Sequence, residues 1–205
     1  FLKVASESMS SRMSIEVFKP VEKYSDVDVE TWIIPGKGAN FPRGYEMYKG
    51  GQLVAKAICN WALVDTVTGK LITSKDYDMG TYSMDEAPEL SIPRRFRIPK
   101  ELKFQEVESS KVAMSMIDIN MHMNNTVYAS KLYDNIDDAE KYFITSINLR
   151  YVHEAPLGSE FKVYRSDAVD PGEMDCRAEK LVYFYTEADG LLNLEAAVGL
   201  KKVII

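Results

Sequence analysis

The feature that most constrains this chain is a set of strand signals that occurs twice, the second time about 130 residues after the first. β-Branched and aromatic residues alternate with polar ones over residues 12–19, 27–34, 43–48 and 53–65, and again over 145–154, 160–166, 175–186 and 191–203. Alternation with period two is the mark of half-buried strands. Each set contains a two-residue hairpin signal, Gly50-Gly51 in the first and Asp189-Gly190 in the second. Ser14-Ile15-Glu16-Val17 recurs as Ser146-Ile147-Asn148-Leu149, and a proline break follows each copy, at Pro20 and Pro156. A repeat this long excludes a solenoid of short units and predicts tandem copies of one small domain. The expected division is a first domain over 1–74, a linker over 75–104 and a second domain over 105–205. The linker carries Pro88, Pro93 and Pro99 and is expected to run extended over the surface.

Only one long helix is predicted, over residues 125–140. Tyr128, Leu132 and Ile136 fall at i, i+4 and i+8, while Lys131, Asp134, Asp138 and Lys141 take the opposite face. Asn124 or Asn125 suits its N-cap. One amphipathic helix, a strand over 107–114 before it and four antiparallel strands after it outline a hotdog domain. The fold class expected is therefore α+β, a double hotdog in which an antiparallel sheet wraps a central helix. No comparable helix precedes residue 12, so the first copy is expected to lack one in this chain.

Composition excludes several functions. The 205 residues are 46% hydrophobic and 27% charged, ordinary for a globular protein, and no apolar run approaches the length of a membrane span. A net charge of -6 removes the general electrostatic footprint of a nucleic-acid binder. Two widely separated cysteines, Cys59 and Cys176, argue against a disulfide framework or a thiolate metal site; both are expected to be small buried strand residues. A reducing, cytoplasmic setting fits them. The first residues lack the basic and apolar regions of a signal peptide, and the chain opens on Phe1, so upstream sequence is expected.

The chemistry concentrates in one run, Asp118-Ile119-Asn120-Met121-His122-Met123-Asn124-Asn125-Thr126-Val127-Tyr128. If this run is extended, Asp118, Asn120 and His122 share one face and the apolar residues the other. Asp and Asn ahead of a helix more often serve capping and turns. The only other histidine, however, is His153, beside Glu154 at a predicted strand end in the same half. His153 itself reads as a strand-end residue.

The Asp-x-Asn-x-His-x-Asn-Asn-x-x-Tyr run, followed by a helix and a strand ending Tyr151-Val152-His153-Glu154, resembles the acyl-acyl-carrier-protein (acyl-ACP) thioesterases of plants and bacteria. The glutamate lies 32 residues past the histidine. Arg12-Met13-Ser14-Ile15-Glu16-Val17 and Trp61-Ala62-Leu63-Val64-Asp65 resemble that family's first-domain strands. The resemblance implies two tandem hotdog domains with the catalytic residues in the second, mapping to Asp118, Asn120, His122 and Glu154. It implies hydrolysis of fatty acyl-ACP thioesters, releasing free fatty acid and terminating fatty acid synthesis, with no cofactor and no metal. The implied partner is an acyl carrier protein, with no nucleic acid and no membrane span, and a homodimer is compatible with it. A cysteine once invoked after that glutamate is Ala155 here. Glu154 would activate water or attack the thioester directly; the residues leave both open.

Three other readings share the fold: an acyl-CoA thioesterase, a non-catalytic acyl-binding module and a hotdog dehydratase. The chain-length preference does not follow from the sequence, and Met13, Tyr45, Met47 and Trp61 read as plain core. Acyl carrier proteins are acidic, so docking one calls for a local basic surface, and the densest run is Arg94-Arg95-Phe96-Arg97-Ile98-Pro99-Lys100. In the first copy, Glu22 lies 132 residues before Glu154 and has no histidine in its half, which predicts a single site per chain.

Overall fold

Both predicted hairpins close on two residues with left-handed backbone, Gly50 and Gly51 at φ 56° and 75°, and Asp189 and Gly190 at φ 49° and 76°. Such a turn matches the twist of the strands it joins and so sets their register. Lys49 pairs with Gln52 across the first turn, and Ala188 with Leu191 across the second.

The computed structural model describes residues 6–76, 84–119 and 121–203, with the backbone alone for 6–10. The chain divides into two units, Phe1–Ser91 and Ile92–Ile205. In unit 1 the strands are β1 (Ser6–Val17), β2 (Asp28–Ile33), β3 (Phe41–Lys49), β4 (Gln52–Asp65) and a short β5 (Leu71–Ile72). They pair antiparallel in the order β2-β3-β4-β1, with β5 on the end of β4. Ile34, Val54, Ala57, Ile58, Cys59 and Ile72 are buried in this unit. Among the described residues, unit 1 holds no helix.

Unit 2 contains β6 (Phe104–Lys111), the helix α1 (Asn125–Asp134), β7 (Tyr142–Tyr151), β8 (Glu160–Ser166), β9 (Lys180–Ala188) and β10 (Leu191–Lys202). Its sheet runs β6-β8-β9-β10-β7, again antiparallel. The order β8-β9-β10-β7 repeats β2-β3-β4-β1 strand for strand. The equivalence reaches single residues, because Ser14 and Glu16 are buried in β1 and Ser146 and Asn148 are buried in β7.

α1 lies on this sheet through Tyr128 and Leu132, both buried, with the Tyr128 ring edge-on to Tyr151 and Phe161. Burying Leu132 contributes about 2 kcal/mol. The helix ends at Asp134, six residues short of the expected 140. Asn135 stops it, since its backbone N–H reaches Leu132 O and its amide donates to Lys131 O and to Glu108 on β6. Ile136 is nonetheless buried, in the turn beyond, so the apolar spacing outlasted the helix. Glu108 also accepts from Lys131 and Ser110, which ties α1 to the sheet edge.

Two of the shifted boundaries have a cause in the packing. β9 begins at Lys180 rather than 175, because Asp175 turns back to bind. Its buried carboxylate accepts from the Thr145 hydroxyl at 2.6 Å and from Arg177 N–H at 3.0 Å. Cys176 therefore sits exposed in a turn, not buried in a strand, while Cys59 is buried as expected. Opposite Ser146 on β10 lies Gly199, where a Cβ would meet Ser146 Oγ, Asp175 Oδ2 and Thr145 Oγ1 at 2.5–2.8 Å. The second moved boundary lies in the segment expected as a surface linker. From Ile92 onward that segment is part of unit 2: Phe96, Ile98 and Leu102 pack against Leu181, Tyr183 and Ala197.

Candidate active site

The run from Asp118 to His122 is not extended. Asp118 N–H donates to His122 O at 3.0 Å and Met121 N–H to Asp118 O at 3.1 Å, so the chain doubles back on itself. Met121 takes a left-handed backbone, φ 65°, unusual for a residue with a side chain. Ile117 and Met123 bridge at the neck of the turn. The alternating-face expectation fails for this reason: a left-handed residue between 120 and 122 breaks the period of two. Asn120 lies outside the described residues, and Asp118 is half-buried on the turn.

The turn is fastened to a second segment of chain. His122 bridges Pro156, and Met123 N–H donates to Ala155 O at 3.0 Å. This places His122 beside the residue before Ala155. His122 Nε2 lies 2.9 Å from Glu154 Oε2, with the two side chains 30% and 39% exposed. An imidazole N–H donating to a carboxylate, with water still able to reach both, is an arrangement for moving protons. Beyond His122, Asn124 caps α1: its side-chain oxygen accepts from Thr126 N–H at 2.9 Å and from the Thr126 hydroxyl at 2.8 Å. That cap satisfies part of the helix N-terminus, as expected for Asn124.

Glu154 stands just past β7, on a stretch held from beneath by Asn193. This residue is fully buried in β10, at a shift of register between Leu192 and Leu194. Its backbone oxygen accepts from Val152 N–H at 2.9 Å and His153 N–H at 3.3 Å. Its side-chain amide donates to His153 O at 2.5 Å and to Tyr128 Oη at 3.1 Å, and its side-chain oxygen accepts from the Thr186 hydroxyl at 2.7 Å. Burial, followed by the charges of Glu154 and Asp118, pushes the Tyr128 hydroxyl up to about 12 against the opposing pull of the Asn193 hydrogen bond. The phenol stays protonated throughout the working range. Sequence reasoning passed over Asn193; its one signal was an asparagine within Leu191-Leu192-Asn193-Leu194, a polar residue in an apolar strand.

Of the four residues picked out from the sequence, His122 and Glu154 are in direct contact, and Asp118 lies near enough for its charge to act on Tyr128 together with that of Glu154. His153 is exposed, with its backbone engaged by Asn193. Among the described residues, no group of three or more His, Cys, Asp or Glu side chains is arranged to hold a metal ion, and no helix is long and apolar enough to cross a membrane.

Residues 100–184, the span that holds both His122 and Glu154, match the family model of the acyl-ACP thioesterase C-terminal domain. That match lies wholly within unit 2. Solved structures of similar fold include an acyl-ACP thioesterase from Bacteroides thetaiotaomicron, with TM-score 0.78 at 20% identity over 96% of this chain and 77% of that one. The 12:0-ACP thioesterase from Umbellularia californica gives TM-score 0.78 at 18% identity, over 98% and 75% of the two chains. A MaoC-like dehydratase from Phytophthora capsici is more distant, with TM-score 0.58 at 15% identity over 96% and 72%. No curated protein matches the sequence. These likenesses establish a hotdog-type antiparallel sheet with its helix for this chain.

Proposed function

We propose that Glu154 and His122 hydrolyse the fatty acyl-ACP thioester, at one site per chain in the second copy of a tandem double hotdog. The observation that carries this reading is the 2.9 Å contact between His122 Nε2 and Glu154 Oε2, inside the segment that matches the thioesterase domain. Thioester hydrolysis forms a bond from water oxygen to the acyl carbon and breaks the carbon–sulfur bond. The Glu154 carboxylate takes a proton from the attacking water. One of its oxygens is held by the His122 N–H, so the proton taken from water rides on the other oxygen and is handed from there to the departing thiolate sulfur. Water activation is favoured over direct attack because the His122 N–H occupies one carboxylate oxygen while water still reaches the other. Asp118 biases the charge of the site, and Asn120, following the family resemblance, holds substrate or water. The products are free fatty acid and the carrier's thiol, which ends chain elongation.

The carrier protein docks, on this reading, against Arg94, Arg95, Arg97 and Lys100. All four are exposed, while Phe96 and Ile98 between them pack inward and fix the segment. The deciding experiment measures thiol release from acyl-ACP by the wild type, Glu154→Gln and His122→Ala. Loss of turnover in both variants with retained fold supports the reading, and wild-type turnover in Glu154→Gln overturns it.

A further inference from the structure

A fully buried asparagine is costly in a strand unless every polar atom is satisfied. Asn193 meets that condition in an uncommon way, because all its described hydrogen bonds except one go to the peptides just before Glu154 and to Tyr128. Its backbone oxygen accepts from Val152 and His153 and its amide grips His153 O, so the residue before Glu154 is held from both sides of its peptide. The second amide proton goes to Tyr128 Oη. The remaining bond, from the Thr186 hydroxyl to Asn193 Oδ1, fixes which way the amide is turned. The register shift at Asn193 is what aims it here, as strand bulges beside active sites commonly do.

Tyr128 in turn holds Asn193, because its oxygen accepts from the Asn193 amide at 3.1 Å. The charges acting on that hydroxyl are the carboxylates of Glu154 and Asp118, while Tyr151 and Phe161 surround the ring. We propose that Asn193 and Tyr128 are positioning residues of this chain: Asn193 fixes the peptide that carries Glu154, and the Tyr128 oxygen, together with the Thr186 hydroxyl, fixes how the Asn193 amide is turned. The inference rests on the assignment of Glu154 as the base and goes beyond it, by naming what sets the geometry of that base.

The test is a kinetic double-mutant cycle on the full chain, with acyl-ACP as substrate and thiol release as readout. Tyr128→Phe keeps the ring and its packing, so folding is retained. By removing the acceptor that holds the Asn193 amide, it should lower kcat roughly tenfold, with KM within about twofold. Thr186→Val, which frees the Asn193 amide to turn, should lower kcat by a smaller factor in the same direction. In the Glu154→Gln background, Tyr128→Phe should cost nothing further, because a residue that acts through Glu154 has no effect once that carboxylate is gone. A merely structural role would lower both backgrounds by the same factor, and that result overturns the inference. Wild-type kcat in Tyr128→Phe overturns it too. Wild-type turnover in Glu154→Gln would instead remove the assignment of the base, so the two failures are told apart.

Discussion

The two units share one strand order and one hairpin chemistry, yet they treat equivalent carboxylates differently. Glu22 in unit 1 is 87% exposed and pairs with Lys49 at 3.0 Å. Glu154, 132 residues on, touches His122 and rests on a peptide clamped by Asn193. A permanent cation beside a solvated carboxylate neutralises it and offers no proton path. An imidazole hydrogen-bonded to a carboxylate that water also reaches leaves it able to act as a base. What separates the two positions is the material unit 2 carries ahead of its first repeated strand: β6, the turn over 118–122 and α1. That insertion delivers the histidine to one glutamate, and the described part of unit 1 has no counterpart for the other.

The largest test of this contrast compares the two glutamates directly. Glu154→Gln and His122→Ala should each lower kcat by about three orders of magnitude or more, while Glu22→Gln should change it less than about twofold, as an exposed surface substitution does. Steady-state turnover on acyl-ACP checks both halves, and a large loss in Glu22→Gln would break the comparison.

Next in size is the helix that unit 2 alone displays among the described residues. Leu132→Ala should destabilise the protein by about 2–5 kcal/mol, as removal of a buried leucine does, measured by denaturant unfolding. A loss below about 1 kcal/mol would mean that α1 is an accessory to the sheet rather than part of its core.

A smaller effect sits at the contact between α1 and β6. Burial pushes the Glu108 carboxyl up, but hydrogen bonds from Lys131, Asn135 and Ser110 outweigh it and hold the group below the usual carboxylate range. A carboxylate depressed on folding adds stability that is fully present above its unfolded value, about 4.3, and is lost as pH falls through its folded value. Glu108→Gln should therefore cost about 1–2 kcal/mol at pH 7, with the gap to wild type closing as pH falls below about 4. A gap that did not depend on pH in melts taken from pH 7 to pH 3 would sink the idea.

The smallest expected effect concerns the substrate's carrier. Charge reversal at Arg94 and Arg95 should raise KM for acyl-ACP a few-fold at low salt, leave kcat unchanged, and fade as salt screens the pair. An unchanged KM at low ionic strength would move the docking surface elsewhere.

Much of this architecture was legible beforehand, for identifiable reasons. Period-two alternation and the Gly50-Gly51 and Asp189-Gly190 turns located both hairpins, because turn chemistry and strand pleat are local properties. The repeat of Ser14-Ile15 as Ser146-Ile147 located the equivalent strands. Local signals failed where a side chain far along the chain decides the backbone. Asn135 ends α1 by reaching Glu108 on β6, and Asp175 delays β9 by binding Thr145 on β7. In the site, the motif supplied His122 and Glu154, but the assumption of an extended run missed the left-handed Met121 that turns the chain. Asn193 escaped notice because its partners come from 7, 40 and 65 residues away, and no spacing rule reaches that far.

Gly199 has a meaning for anyone who would reshape this enzyme. Its missing side chain leaves the space into which the hydroxyls of Thr145 and Ser146 and the carboxylate of Asp175 crowd. Any replacement would have to displace polar atoms that are themselves buried and bonded, so that rung of the sheet admits a single amino acid. A randomised library or a graft from a relative can vary the mouth of the site widely, but it inherits this fixed point, and variants that alter it should vanish from the soluble fraction before their catalysis can be judged.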